Sequence, residues 1–506
     1  MLIKRCSAAG VVLAVSATGA WACDFFHGEA GGEFGKHSNT LGDGGLTSPN
    51  AIAHTGRYNI TLLSHLTLPQ LGGGTGSSLW GWVDPVTNRE YAIFGRSTGT
   101  SFVDVTDPYN PRIVGTLPRI ANTSATSWRE PKVIGNYVYI GVDGATAGIQ
   151  VMDLTKLRNM GGTPGATLTA DAIYGYAGSG STSGLLTRAH TLAIETMGGY
   201  SNTPFLFVAG SNLQNGGIHA INVSNPLAPT FAGGFAADGY THEMQVVNYQ
   251  GPDVTHRGRQ IAFAYNVDTL TVVDVTNKSA MTMLGRTVQP MRPGPAEARY
   301  VHQGWLTPDQ KYVISNDELD ERPSDGGTRP TRTHLWDVRD LDNPVYKGAF
   351  THSGVNVDHN LYIVGNFVFQ SNYTHGLRVF RIGNLEDSDP QAWLEPIAGF
   401  DTYPANDGNS FNGLWNNFPF FPSGNIALAD INGGLMMVRL SETRQISPSG
   451  ELRSSGLSLH EQLVAYNRAA YEAYRATLPE PAAAAGLAIA GLALARRRSG
   501  RRARPG

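Results

Sequence analysis

The chain has 506 residues and a formal charge of −3, with 61 Gly, 28 Pro and only 16% charged residues. The basic ends, 1–22 and 482–506, hold two and six cations and no acid, so the body between them carries −11. That composition fits short strands joined by tight turns, and the acidic body argues against nucleic acid as a partner.

In chain order, the first element is a predicted secretory signal over 1–22. Lys4 and Arg5 precede an apolar stretch over 8–20, and Ala20-Trp21-Ala22 forms an A-x-A cleavage site. Cys6 lies inside the signal and Cys23 becomes the first mature residue, so no internal disulfide is expected. Trp21 fits a lipoprotein acylation signal poorly. Residues 23–58 form an N-terminal extension.

The region 59–442 repeats one unit. Each copy has a strand that ends in a polar residue and a turn. The copies end at Asp104, Asp153, Asn222, Asp274, Asp337, Arg381 and Arg439, spaced 44 to 69 residues apart. Another strand precedes most copies, such as 90–95, 137–141, 205–209 and 261–265. Repeats of this length with several strands each predict an all-β fold, a seven-bladed β-propeller. One blade cannot bury both faces, so stacking and ring closure supply the core. The strand over 58–63 is expected to complete the last blade. The terminal Asp residues are expected to accept N–H bonds from the following turns.

The start of each repeat is aligned in one register. Four copies begin with histidine: His190, His242, His302 and His359. The others align at Leu79, Arg129 and Asn412. If these positions open the innermost strands, they meet at one end of the central channel. Three readings stay open. Neutral imidazoles bind a transition metal such as copper, iron or zinc, as axial histidines do in other metalloenzymes on propeller scaffolds. Alternatively, the ring binds a polar ligand, with Arg129 as a fork and Glu130, Glu243, Asp358, Trp305 and Trp415 as walls. Or each imidazole bonds only to backbone where the strands crowd the axis.

The acidic run 316–321 lacks the glycine and ligand spacing of an EF-hand. It reads as a solvated loop or a loose calcium site. No P-loop or His-Glu-x-x-His occurs.

Past the repeats, 443–477 holds a turn-rich linker and a predicted helix. Leu459, Leu463, Tyr466, Ala470 and Tyr474 fall on one face, as a stalk or a cap on the fold. The tail 478–506 starts with Pro479-Glu480-Pro481. An apolar run over 482–495 follows, too short for an ordinary span, and then an Arg cluster. This order resembles the PEP-CTERM sorting signal of Gram-negative bacteria. The resemblance implies an exosortase-type enzyme as partner, a membrane-held tail before processing, and delivery to the cell envelope, outer surface or medium.

Many segments in order carry a second resemblance. They include Leu79-Trp-Gly-Trp-Val83, Ser127-Trp-Arg-Glu130, Ala189-His-Thr191, Tyr240-Thr-His-Glu243, Val301-His-Gln-Gly-Trp-Leu-Thr307, Asp317-Glu-Leu-Asp-Glu321, Asp358-His-Asn-Leu361 and Phe411-Asn-Gly-Leu-Trp415. Together they resemble the choice-of-anchor B family, related to LVIVD-repeat propellers. The family implies the propeller with varied C-terminal anchors and brings no established activity. Its members often carry Cys where this chain has Val246 and Ala262. The expected function is an envelope-anchored module that binds a protein or glycan. The alternative is a metal-dependent oxidoreductase or hydrolase centred on the histidines.

Overall fold

The computed structural model describes residues 57–160, 165–292, 299–322, 328–441 and 456–478. The signal segment, most of the N-terminal extension and the sorting motif Pro479, Glu480 and Pro481 lie outside the described residues.

Seven sheets follow one another along the chain, antiparallel but for the short Ala166–Thr167 edge strand, which pairs parallel with Gly115–Thr116. Their innermost strands are Gly76–Val83, Trp128–Ile134, Thr191–Ile194, Glu243–Asn248, Val301–Leu306, Leu361–Val364 and Leu414–Phe418. These define blades 1 to 7. Each innermost strand packs beside the next, and blade 7 packs beside blade 1, which closes the ring. Gly76–Val83 is buried along its whole length, whereas the outermost strand of blade 3, Thr230–Phe235, is partly exposed. Inner strands are covered on both faces by neighbouring blades, so near-continuous apolar runs serve there.

Closure uses the strand predicted for it. Ile60–Thr67 forms the outer strand of blade 7, pairing Ile60 with Leu440 and Thr67 with Gly434. Arg57–Tyr58 extends blade 6. The last blade is therefore built from both ends of the repeat region, which removes a free edge.

The predicted turn chemistry recurs in five blades. Asp104, Asp153, Asn222, Asp274 and Asp337 each accept a backbone N–H two residues on, at 2.9–3.1 Å. Asp104 and Asp274 also meet Arg89 and Arg259, both at 2.6 Å. Val246 and Ala262 stand opposite each other in adjacent strands of blade 4, both fully buried.

The predicted helix is Leu459–Arg475, opened by a Ser458–Glu461 capping box. It caps the fold. Its buried face is Leu459, Leu463, Asn467 and Tyr471, rotated from the expected one. Tyr466 is 41% exposed. The shift has a polar cause: Asn467 Nδ2 donates to the carbonyls of Pro419 (2.7 Å) and Phe421 (2.9 Å). Tyr474 meets the Gly135 carbonyl, and Arg475 meets Asn88. All these partners sit in turns that follow innermost strands. The helix thus covers the end of the ring where those strands finish.

A candidate metal centre at the histidine hub

The four histidines stand at the opposite end, where innermost strands begin. The backbone N–H of His190, His242 and His359 each donates to the last residue of its blade's second strand. The acceptors are Ala209 (3.1 Å), Tyr265 (2.8 Å) and Ser371 (2.9 Å). One ladder geometry, repeated blade by blade, therefore delivers the side chains to one hub. Ring centroids step 4.4, 4.2 and 4.2 Å from His190 to His242, His302 and His359. All four are buried.

The partners of Nδ1 fix the tautomers. His190 Nδ1 lies 2.8 Å from Asp143 Oδ2, His242 Nδ1 3.1 Å from the His302 carbonyl, and His359 Nδ1 2.7 Å from the Trp415 carbonyl. Carboxylates and carbonyls only accept, so each of these Nδ1 atoms carries the proton. In a neutral ring the Nε2 is then a bare lone pair. His190 Nε2 and His242 Nε2 face each other at 2.7 Å. Two lone pairs at that distance require either a shared proton or a cation near both.

The other nitrogens converge on a carboxylate. Glu318 Oε2 is 3.5 Å from His302 Nε2, and Glu318 Oε1 is 3.7 Å from His359 Nε2. His242, His302 and Glu318 each offer a ligand atom, and these three atoms lie within 4.8 Å of one another. The Tyr373 hydroxyl donates to Glu318 Oε1. Tyr373 itself has φ of 40°, a left-handed conformation that costs an aromatic residue energy and is typical of sites where geometry is imposed.

Burial shapes the charge states. It pulls His242 and His302 well below the ordinary imidazole value, helped by the neighbouring histidines. It brings His359 down to about 3, although its bond to Trp415 opposes the shift. These rings are neutral, the ligand-competent form. Burial raises Glu318 to about 7, against the bond from Tyr373. Burial also pushes Asp143 up, but the hydrogen bond and charge of His190 outweigh it and hold the carboxyl below its usual value.

The remaining predicted residues divide. Trp415 stands beside the hub, its ring 4.8 Å from that of His359. Arg129 turns instead toward blade 1 and donates to the Arg96 carbonyl at 2.9 Å. Asn412 bonds to Ser410 and Asn432 within blade 7. Neither takes the place beside the histidines that the register gave it. A bulge at Leu414/Asn416 shifts the innermost strand of blade 7, whereas that of blade 2 pairs without a shift and the Arg129 side chain is held aside by the Arg96 carbonyl. Glu130 pairs with Lys132, whose Nζ lies 4.4 Å over the Trp80 ring. Glu243, raised to about 8 by burial and by the Glu130 charge, belongs to the same group. Trp305 packs on Tyr362 and Phe420, toward the helix-covered end. These residues line the channel behind the hub.

The expected solvated loop at 316–321 is corrected. Asp317, Asp320 and Glu321 are at most 1% exposed, and so is Asp358. The segment folds inward between blades 5 and 6, where its carboxylates sit near His334 and Arg332.

The register missed two hub residues, Asp143 and Glu318. Asp143 ends the second strand of blade 2, and Glu318 follows the second strand of blade 5. Antiparallel pairing puts the end of a second strand beside the start of the first. Polar residues at second-strand ends are therefore the signal that could have found them.

Residues 262–288 match the LVIVD repeat model. They cover most of the second strand of blade 4 and all of its third and fourth strands. The chain is thus a seven-bladed propeller with one segment similar to the LVIVD repeat. No curated protein matches it. Among solved structures, the chain is similar to a protein from Lactobacillus plantarum at 12% identity and TM-score 0.45, covering 70% of this chain and 89% of that one. It is similar to Kuenenia stuttgartiensis hydrazine synthase at 12% identity and TM-score 0.46, with 69% and 92% covered. A third likeness is to the β-propeller domain of Myceliophteria thermophila Cps50 (Swd1), at 10% identity and TM-score 0.42, with 75% and 98% covered. Likenesses this distant carry no functional argument.

Proposed function

We propose that this protein is an exported, envelope-anchored metalloprotein that holds one transition-metal ion at the propeller hub. The single observation behind the reading is the convergence of imidazole nitrogens. Three Nδ1 atoms are committed to acceptors, which leaves Nε2 atoms facing inward beside Glu318. Two ligands about 2.0–2.1 Å from one ion and at right angles stand about 2.9 Å apart. The His190–His242 separation of 2.7 Å fits such a pair. An imidazole-rich set with one carboxylate suits iron, copper or zinc. His190 has a carboxylate behind its Nδ1 and His242 and His359 have carbonyls, the outer support that fixed metal-binding imidazoles use.

Export rests on the signal features over 1–22. Envelope attachment rests on the PEP-CTERM-like tail with Pro479, Glu480 and Pro481 and on the choice-of-anchor B resemblance. A second reading, a module for a protein or glycan, draws on the half-buried Trp415 and on Arg322 stacked 4.1 Å over Phe411 near the hub. Such aromatic surfaces suit sugar rings and peptide side chains.

The test is metal analysis of protein purified from the periplasm. About one iron, copper or zinc per chain, lost in a His190→Ala/His302→Ala double variant that still folds, supports the metal centre. Metal-free wild-type protein would mean that His190 and His242 share a proton, and the binding-module reading would take precedence.

A further inference from the structure

A second group of ligand atoms lies in blades 5 and 6, apart from the hub. Asp320 and Glu321 come from the loop after Tyr312–Asp317, His334 from the strand Arg332–Asp337, and Asp358 from the segment before Leu361–Val364. Each is at most 1% exposed. Arg332 pairs with Asp320 Oδ2 alone. Five carboxylate oxygens remain buried without a hydrogen-bond partner: Asp320 Oδ1, both of Glu321 and both of Asp358.

An acidic cluster alone is no site, because protons could neutralise it. His334 supplies an independent observation. Its Nδ1 is engaged by the Tyr346 hydroxyl at 3.0 Å, which orients the ring. Its Nε2 is fully buried, has no hydrogen-bond partner and points at the cluster, 3.6 Å from Asp320 Oδ2. Asp317, Asp320 and His334 offer ligand atoms within 4.8 Å of one another. Asp317 is already spent on the Leu319 and Asp320 N–H groups and on Gln289, so it serves as the turn that presents the others.

We propose that Asp320, Glu321, Asp358 and His334 form a structural site for a divalent cation of the manganese type. Four buried carboxylates, Asp317 included, against Arg332 and the half-buried Arg292 leave an uncompensated negative charge, which a divalent ion neutralises. Oxygen-dominated ligation suits calcium, magnesium and manganese, and a directed imidazole among the ligands favours manganese of the three. The ion would tie the loop of blade 5 to the inner edge of blade 6.

The experiment uses the full mature chain, stripped with EDTA and titrated separately with MnCl2 and CaCl2 while thermal unfolding is followed. The Tm is expected to rise by at least 5 °C with Mn2+ and by less with Ca2+. The Mn2+ response should persist in His242→Ala/His302→Ala, which removes the hub. It should vanish in Glu321→Gln/Asp358→Asn, whose Tm should equal or exceed that of the stripped wild type. No response to either ion would overturn the site and assign protons to the carboxylates. A response to Ca2+ alone would overturn the imidazole ligand. Loss of the Mn2+ response only in the hub variant would move the ion to the hub.

Discussion

Ile60 stands opposite Leu440 in an antiparallel ladder, so the N-terminal end of the repeat region is held inside its last blade. Ile60 is 5% exposed, and the strand it opens is the outer wall of blade 7. Ile60→Ala should lower stability by about 2–3 kcal/mol, the usual cost of truncating a buried Ile. Denaturant midpoints would measure it. A loss below about 0.5 kcal/mol would show that closure does not depend on this contact.

Asp143 reaches the hub only through His190. Asp143→Asn keeps the shape and removes the charge behind Nδ1. If His190 is a ligand, metal affinity should fall about 10- to 100-fold, the usual effect of removing such a supporting group. Competition with a coloured chelator gives the number. As a control, His219→Ala should leave affinity unchanged, since that buried ring of blade 3 meets Tyr174 of blade 2, away from the hub.

Asp84 and Arg158 tie blade 1 to the turn between the third and outermost strands of blade 2. Arg158 Nε lies 2.8 Å from Asp84 Oδ2, and Val86 N–H and Thr87 also donate to the carboxylate. Burial would raise the carboxyl, but Arg158 and these donors outweigh it and hold Asp84 below the ordinary value of 3.8. A depressed folded value contributes stability in full above that unfolded value. The contribution is lost as pH falls through the lower folded value. Asp84→Asn should cost about 2–3 kcal/mol at pH 7 and flatten the decline of stability below pH about 4. Urea titrations at pH 7 and pH 3 check both; an equal cost at the two pH values would contradict the ion-pair assignment.

Gly81 marks the seam between blades 7 and 1. A Cβ there would lie 2.1 Å from Phe418 Cε1. Phe418 is buried and packs edge-on against Trp80, with ring centroids 5.2 Å apart. Gly81→Ala should cost about 1–3 kcal/mol through overpacking. Relief by an added Phe418→Leu substitution would confirm the clash, and no relief would place the cost elsewhere.

The ring was legible because five of the seven blades repeat one local device. A third strand ends in Asp or Asn, and that side chain caps its own turn, so sequence pattern and structure share a cause. The four histidines were legible for the same reason, each being one residue of a repeated register. Asn412 was misplaced because a bulge shifts blade 7, and Arg129 because its side chain bonds to a carbonyl of blade 1, which a register cannot show. Asp143 and Glu318 stayed hidden because they close second strands, and the residues there differ from blade to blade. The fate of 316–321 was invisible for another reason. A run of acids reads as surface unless its burial partners are known, and these, such as Arg332 and Tyr373, come from 12 to 55 residues downstream.

The helix Leu459–Arg475 gives the tube a floor. The last described residue, Leu478, follows that helix directly and lies at the closed pole. The four histidines therefore sit at the pole that this helix leaves uncovered.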